Sequence, residues 1–446
     1  MKTFKTGGAH PPEYKSLSKD EVLDRVDAPG LLMLPVSQHI GAPAKPVVGK
    51  GDRVLRGQKV AEANGFVSVP MHSPVSGTVA KVEPAALPNG CMAEHIFIEP
   101  DGEMASVEGF GKKREWKDMG ADKIRTIVRE AGIVGMGGAA FPTHVKLSPP
   151  ADRPIDTLVI NGIECEPFLT CDYRMMLERA PGIAEGIRMF MKALGVERAI
   201  VGVEANKKDA FEKMRDTLWA DEGIGVELLK VKYPQGAEKQ LIEALTDRQV
   251  PPGRLPLDVG VVVQNVSTAF AVYEAVAEGK PLVERPLTIT GDGVARPANL
   301  LVPIGTPIKD LLVRQGLDAK TKKVVLGGPM MGVALPNLDF PVVKGTSGIL
   351  ALRRMLDFMP GPCIRCGRCV EVCPLRGMAA EMIKAIEAGE VERYEELHVL
   401  DCMECGTCTF DCPAHRPIVH YVKKAKAEYA AWKASKAKRK EEKTKS

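Results

Sequence analysis

Eight cysteines between positions 363 and 412 repeat one spacing. Cys363, Cys366, Cys369 and Cys373 form the first copy, and Cys402, Cys405, Cys408 and Cys412 the second. Each reads C-x-x-C-x-x-C-x-x-x-C-P, completed by Pro374 and Pro413. Thiolates at this spacing hold cubane iron–sulfur clusters, and the fourth cysteine, turned away by its proline, serves the other cluster. On that logic Cys363, Cys366, Cys369 and Cys412 hold one [4Fe–4S] cluster, and Cys402, Cys405, Cys408 and Cys373 hold a second. Zinc closes with four ligands, commonly from C-x-x-C pairs, so a third in-register cysteine followed by Cys-Pro fits it poorly. Disulfides would need an oxidising compartment. The chemistry implied is one-electron transfer.

A second constellation lies upstream. Gly135, Gly137 and Gly138, in GMGGAAFPTHVK, supply a backbone whose amides can approach a phosphate closely. Alone, such a loop also serves as a tight strand–helix connection. It has company: Lys146, then NGIECEP (Asn161 to Pro167), then QGAEKQ and QNVST. His10, His39, His72, His144 and His415 show no metal-ligand spacing and read as structural or exposed. Cys91, Cys165 and Cys171 have no paired spacing, and the last two read as ordinary buried thiols.

The elements that must position these groups follow from periodicity and turn signals. Residues 1–30 read as an irregular leading segment, with a helix start at Ser18 followed by Glu21. Residues 31–110 read as short strands between Gly and Pro breaks. GDRVLRGQKVAE and SPVSGTV there resemble the barrel-sandwich hybrid of biotinyl and lipoyl carrier domains. The intervening ANGFVSVPMH has no lysine, which rules out swinging-arm chemistry and leaves a docking or structural module. Residues 118–280 alternate strand and helix (DTLVING, PGIAEGIRMFMKALG, RAIVGVEAN, KKDAFEKMRDTLW, VELLKVK, GVVVQNVSTAF), predicting a Rossmann-like parallel sheet. Ligands on such sheets sit beyond the carboxyl ends of the strands. Residues 285–350 return to short strands around the helical TPIKDLLVRQG, as in a small β-grasp. Residues 354–422 form the cluster domain, its motifs separated by a helical stretch that implies a helix-rich ferredoxin domain. Residues 423–446 are a basic tail.

The fold class expected is therefore multidomain, α/β and α+β, in a chain of 446 residues. Net charge is +4, and the tail alone carries ten Lys or Arg against three Glu. The tail is expected to lack an apolar face wide enough to pack, and to be a solvated, frayed helix or to touch an anionic membrane surface. No aromatic-rich basic groove accompanies it, which argues against nucleic acid. No apolar stretch reaches the ~18 residues of a membrane span, and MKTFKTGGAHPPEYK does not resemble a signal peptide. The expected location is cytoplasmic.

The glycine loop resembles the flavin loop of the NADH-binding flavoprotein subunit of respiratory complex I, in which FMN lies in a Rossmann-like cleft and NADH stacks on it. The resemblance assigns Gly135, Gly137, Gly138 and Lys146 to the FMN phosphate and ribityl chain. It sets Asn161, Glu164 and Glu166 beside flavin and nicotinamide, where the two acids would orient ligands rather than act as general acid or base. Gly236 and Glu238 match a Gly-Glu-Glu segment, and Gln264, Asn265 and Thr268 an Asn-Asn-x-x-Thr segment near the phosphate. Phe141 matches an aromatic residue packed near the dinucleotide. Met136 departs from an arginine, Ala140 from a glycine, Ile163 from an aspartate, Ala237 from a glutamate and Gln264 from an asparagine. The complex I subunit also carries one cluster where this chain carries two.

Domain order over nearly the whole chain, from GGAHPP through INGIECEPFLTCDYRMM to the paired cysteine motifs, resembles the C subunit of the Rnf complex, the ion-translocating ferredoxin:NAD oxidoreductase. That resemblance implies FMN, NAD(H) and two [4Fe–4S] clusters. It implies, as partners, other subunits of a membrane-embedded Rnf-type complex, including a ferredoxin-type subunit, with the chain peripheral on the cytoplasmic side of the inner membrane. Two rivals stand beside it: an electron relay with clusters and no flavin, and a cobalamin reductase that shares these modules in another order.

Overall fold

The structure is a computed structural model that describes residues 1–28, 30–354 and 359–445, with side chains to residue 437. The leading segment is extended and ends in a short strand, β1 (Leu23–Arg25). The helix expected at Ser18 does not form; a 3-10 turn, Lys15–Leu17, stops there. Tertiary hydrogen bonds take its polar groups instead. Ser18 Oγ lies 2.8 Å from Thr170 Oγ1, and the Ser18 and Glu21 carbonyls both accept from Asn299 Nδ2. Serine so engaged has nothing left to cap a helix.

Two small sheets follow. β2 (Leu32–Pro35), β4 (Arg53–Val54), β7 (Gly77–Ala86) and β8 (Met92–Pro100) form one, and β3 (Lys45–Pro46), β5 (Lys59–Glu62) and β6 (Met71–His72) the other. Their alternating residues put Val54, Val60, Val79, Ile96 and Ile98 into a shared core.

The α/β unit runs through α1 (Ala121–Glu130), α2 (Thr143–Lys146), β9 (Thr157–Gly162), α3 (Cys171–Glu178), α4 (Ala180–Leu194), β10 (Ala199–Glu204), α5 (Lys208–Leu218), β11 (Ile224–Leu229), α6 (Glu238–Thr246), β12 (Val261–Asn265) and α7 (Val266–Glu278). Its sheet is wholly parallel, in the order β11-β10-β9-β12. Every residue of β10 and β12 is buried, as expected for strands covered on both faces. Gly186 lets α4 lie directly on α7, since a Cβ there would stand 1.9 Å from the Ala269 carbonyl. All four carboxyl ends open on one edge.

β13 (Glu284–Thr290), β14 (Ala298–Pro303), α8 (Ile308–Arg314), β15 (Lys323–Leu326), β16 (Val333–Ala334) and β17 (Gly348–Leu352) build a mixed sheet in the order β1-β14-β13-β17-β15-β16. Ile308, Leu311 and Leu312 of α8 join Leu287, Val302 and Ile349 in its core. The leading segment thus supplies an edge strand, parallel to β14.

The cysteine region contains α9 (Arg368–Glu371), α10 (Ala379–Glu387), α11 (Thr407–Phe410) and α12 (Ile418–Lys445). Here the tail expectation is corrected. Val422, Ala425 and Tyr429 of α12 are buried against Met382, Ala385 and Tyr394, with Trp432 packed beside them. The stripe at 418, 422, 425, 429 and 432 has coiled-coil spacing. The stripe begins at Ile418 and Val422, ahead of the residues assigned to the tail. Among the described residues no helix is long and apolar enough to cross a membrane.

Candidate flavin and iron–sulfur sites

The glycine loop is tied at both ends. The Gly135 amide donates to the Phe141 carbonyl at 2.8 Å, and the Met136 amide to Thr268 Oγ1 at 2.9 Å, which lays the loop on the start of α7. Gly138 has φ +114 with nothing within 4 Å of where a Cβ would be, so the loop keeps an open side there. Ala140, where the resemblance has glycine, also takes a positive φ, +50. Met136, where it has arginine, is buried in the core.

Asn265 caps α7, its Oδ1 accepting from the Ser267 and Thr268 amides at 2.8 and 3.2 Å. Asp172 holds it in place: Asn265 Nδ2 donates to Asp172 Oδ2 at 2.7 Å, and Ser267 Oγ to Oδ1 at 2.5 Å. Burial, then the nearby Glu164 charge, pushes the Asp172 carboxyl up to about 6. Strand pairing sets Asn265 opposite Asn161, whose Nδ2 donates to the Gly236 carbonyl at 2.8 Å. Lys146 Nζ meets Glu238 Oε1 at 2.5 Å and the Val263 carbonyl at 3.1 Å. Gly135, Gly137, Gly138, Lys146, Asn161, Gly236, Glu238, Gln264, Asn265 and Thr268 therefore gather at the carboxyl ends of β9 and β12. Among the described residues the buried Gln264 Nε2 has no hydrogen-bond partner, which leaves a donor for a ligand. Open glycines, a capped helix start and an idle buried donor fit a flavin phosphate and ring.

Phe141 closes the loop through its backbone. The two acids of NGIECEP are held by backbone amides. Glu164, at φ +46, accepts from Asp172 and Tyr173 at 2.7 and 3.2 Å. Glu166 accepts from Met330 and Met331 at 3.1 and 2.8 Å, and burial raises its carboxyl above the usual range.

Behind both loops stand four buried cations that sequence reasoning missed. A loop that turns amides toward a ligand turns carbonyls away from it, and those need donors. Lys15 Nζ donates to the carbonyls of Glu164, Glu166 and Leu169 at 2.9, 3.0 and 2.6 Å. Lys207 donates to Ile163 at 2.7 Å. Arg285 donates to Lys344 at 2.7 Å and Met136 at 3.4 Å, and Lys344 Nζ to Pro70 and Gly132 at 2.9 and 2.8 Å. Burial lowers Lys344 to about 7. A cavity of about 260 Å³ opens beside the NGIECEP loop, lined by Lys15, Cys165, Glu204, Asn206 and Tyr233 among others. Burial pushes the Cys165 thiol well up.

The cysteine motifs fold alike. Arg365 and Glu404 take φ +56 and +60, Gly367 and Gly406 +79 and +84, and Arg376 and His415 +56 and +51. The repeated left-handed turns curl each motif around one point. The Cys369 thiol is pushed up by burial and then by Cys366, Cys412 and Cys363. The Cys408 thiol is pushed up by burial and then by Cys405, Cys402, Cys373 and Cys369. In each case the three strongest thiol neighbours are those of the crossed ligand sets. Amides also approach sulfur, Gly377 to Cys373 Sγ at 3.1 Å and Glu404 to Cys402 Sγ at 3.4 Å, as suits thiolates that carry cluster charge.

Known proteins agree with this layout. Residues 2–103 match the RnfC barrel sandwich hybrid domain, 128–274 the Nuo51 FMN-binding domain and 362–415 the 4Fe-4S dicluster domain. The C subunit of the proton-translocating ferredoxin:NAD(+) oxidoreductase complex of Clostridium ljungdahlii is 45% identical, over 97% of this chain and 95% of that one. Its counterpart in the Na(+)-translocating complex of Acetobacterium woodii is 44% identical, over 96% and 97%. The counterpart in the ion-translocating oxidoreductase complex of Rhodobacter capsulatus is 41% identical, over 95% and 82%. With such identity across nearly full length, the chain belongs to the RnfC family, the C subunits of ion-translocating ferredoxin:NAD+ oxidoreductase (Rnf) complexes.

Proposed function

We propose that this chain is the NAD(H)-linked electron-transfer subunit of a membrane-bound Rnf-type complex, working with FMN and two [4Fe–4S] clusters. The observation that carries the flavin site is the bond from the Met136 amide to Thr268 Oγ1, which fixes an open glycine loop over the capped start of α7. FMN, when bound, exchanges a hydride with nicotinamide and single electrons with iron–sulfur clusters. The residues that would hold it are Gly135, Gly137, Gly138, Lys146, Asn265 and Thr268 at the phosphate end, with Asn161, Gly236 and Gln264 toward the ring. Phe141, Glu164, Glu166 and Glu238 belong to the dinucleotide side. Glu164 and Glu166, fixed by amides, supply orientation and charge, and no side chain is assigned proton transfer.

Cys363, Cys366, Cys369 and Cys412 would ligate one cluster, and Cys402, Cys405, Cys408 and Cys373 the other. The partners are the membrane subunits and a ferredoxin-type subunit, with this chain peripheral on the cytoplasmic face. Anaerobically purified, cluster-reconstituted full-length protein tests the reading. It should release FMN on denaturation, and NADH should bleach both flavin and cluster absorbance and drive ferricyanide reduction. Clusters without FMN or NADH-dependent reduction would leave a flavin-free relay, and electron delivery to a corrinoid would point to a cobalamin reductase.

A further inference from the structure

The leading segment, the α/β unit and the loop after β15 touch the cluster domain around Cys373 and Cys405. Gly8 donates to the Val372 carbonyl at 2.9 Å, and Gln240 Nε2 to that of Pro374 at 3.4 Å. Gly7 leaves no room for a Cβ, which would stand 2.6 Å from the Cys373 carbonyl. Gly406 packs against Met330, whose amide binds Glu166. The shortest of these contacts is Tyr233 Oη, which donates to the Cys405 carbonyl at 2.7 Å. Tyr233 is 3% exposed, follows β11, lines the cavity beside Cys165, and its hydroxyl lies within electrostatic reach of the Glu166 carboxylate. One phenol thus joins the NGIECEP loop to a cluster ligand. On the other motif, Cys363 and Cys366 are exposed, with Ile364 between them 64% exposed.

We propose that Tyr233 is the positioning residue that joins the Cys402/Cys405/Cys408/Cys373 cluster to the flavin loop and sets that cluster's potential. The proposal rests on the cofactor reading above. The cluster of Cys363, Cys366, Cys369 and Cys412 is then the outer one, facing away from the flavin half. A hydrogen bond donated to the Cys405 peptide draws negative charge away from its thiolate, which favours the reduced cluster and raises its potential.

The test is an EPR-monitored redox titration of full-length, reconstituted protein carrying Tyr233→Phe, with Cys366→Ser used to identify the outer cluster by the signal it removes. We expect one midpoint to fall in Y233F, the outer midpoint to stay, and FMN affinity to be unchanged. Gly7→Ala, which crowds the Cys373 carbonyl, is an independent second variant and should displace the midpoint of that same inner cluster. Loss of the inner cluster alone from either variant supports the assignment as well. Two unmoved midpoints in Y233F, or movement of the outer one, overturn it. If the wild-type chain holds no FMN yet Y233F still shifts the inner cluster, the flavin reading fails and Tyr233's hold on the cluster stands. If FMN is present and NADH-reducible but no midpoint shifts, the flavin reading stands and the role given to Tyr233 falls.

Discussion

The eight cluster cysteines lie between positions 363 and 412, and each quartet takes its shape from backbone turns that the motif itself repeats. The flavin site draws on residues from Lys15 to Lys344, and its loops are held by buried cations and by Asp172. A site made mostly within one stretch should lose little beyond what is removed from it, with Tyr233 and Gly7 adjusting it from outside. A site made collectively should weaken when distant supports go.

The sharpest break of that contrast comes from the cysteines. Cys405→Ser and Cys366→Ser should each cost the iron of one cluster, with FMN retained. Iron analysis and flavin fluorescence on the same sample read both, and FMN loss from either variant would mean that the cluster domain is part of the flavin site. Next is Asp172→Ala, which strips Asn265 Nδ2 and Ser267 Oγ of their acceptor. An unsatisfied buried group costs ~1–3 kcal/mol, so FMN affinity should fall roughly tenfold or more with cluster content intact. FMN binding at wild-type strength, measured by fluorescence quenching, would contradict the collective account.

A gentler probe uses pH. Burial lowers Lys344 to about 7 from an ordinary 10.5. A base whose folded value is depressed adds stability that is full above the unfolded value and is lost as pH falls through the folded one. Thermal release of FMN should therefore come earlier as pH drops from about 10 toward 7. Lys344→Met should flatten that slope, while His72 and His39, both lowered mainly by burial with Lys344 nearby, keep theirs at lower pH. An unchanged slope in K344M would remove Lys344 from the supports. The smallest effect belongs to Ala140→Gly. A left-handed residue with a Cβ costs ~1–2 kcal/mol, partly offset by glycine's freedom in the unfolded chain, ~0.5–1 kcal/mol. A gain below ~1 kcal/mol in denaturant titration is expected.

The same contrast explains what could be read in the sequence. The cysteine motifs, the glycine loop and the strand–helix alternation state their geometry within a few residues. The supports do not. Lys15 meets partners at 164 to 169, and Arg285 one at 136, so no window of sequence contains both ends. A signal did exist, since Arg285 interrupts the apolar strand VERPLTIT and Lys344 follows PVV. A lone cation inside a strand pattern asks for buried acceptors. Ser18 failed as a helix start for the same reason, its hydrogen bonds being settled by Thr170 and Asn299. The apolar stripe of α12 is legible when Ile418 and Val422 are read together with Ala425 and Tyr429.

The leading segment also works as a clasp. Its stations are Leu229 on the parallel sheet and Tyr233 just after it, Glu164 to Leu169 on the ligand loop, Asn299 to Leu301 on β14, and Val372 in the cluster domain. Partners so far apart in sequence cost loop-closure entropy that only folded domains repay. The leading segment should therefore settle after the domains it crosses, fastening the ligand loop, the mixed sheet and the cluster domain together.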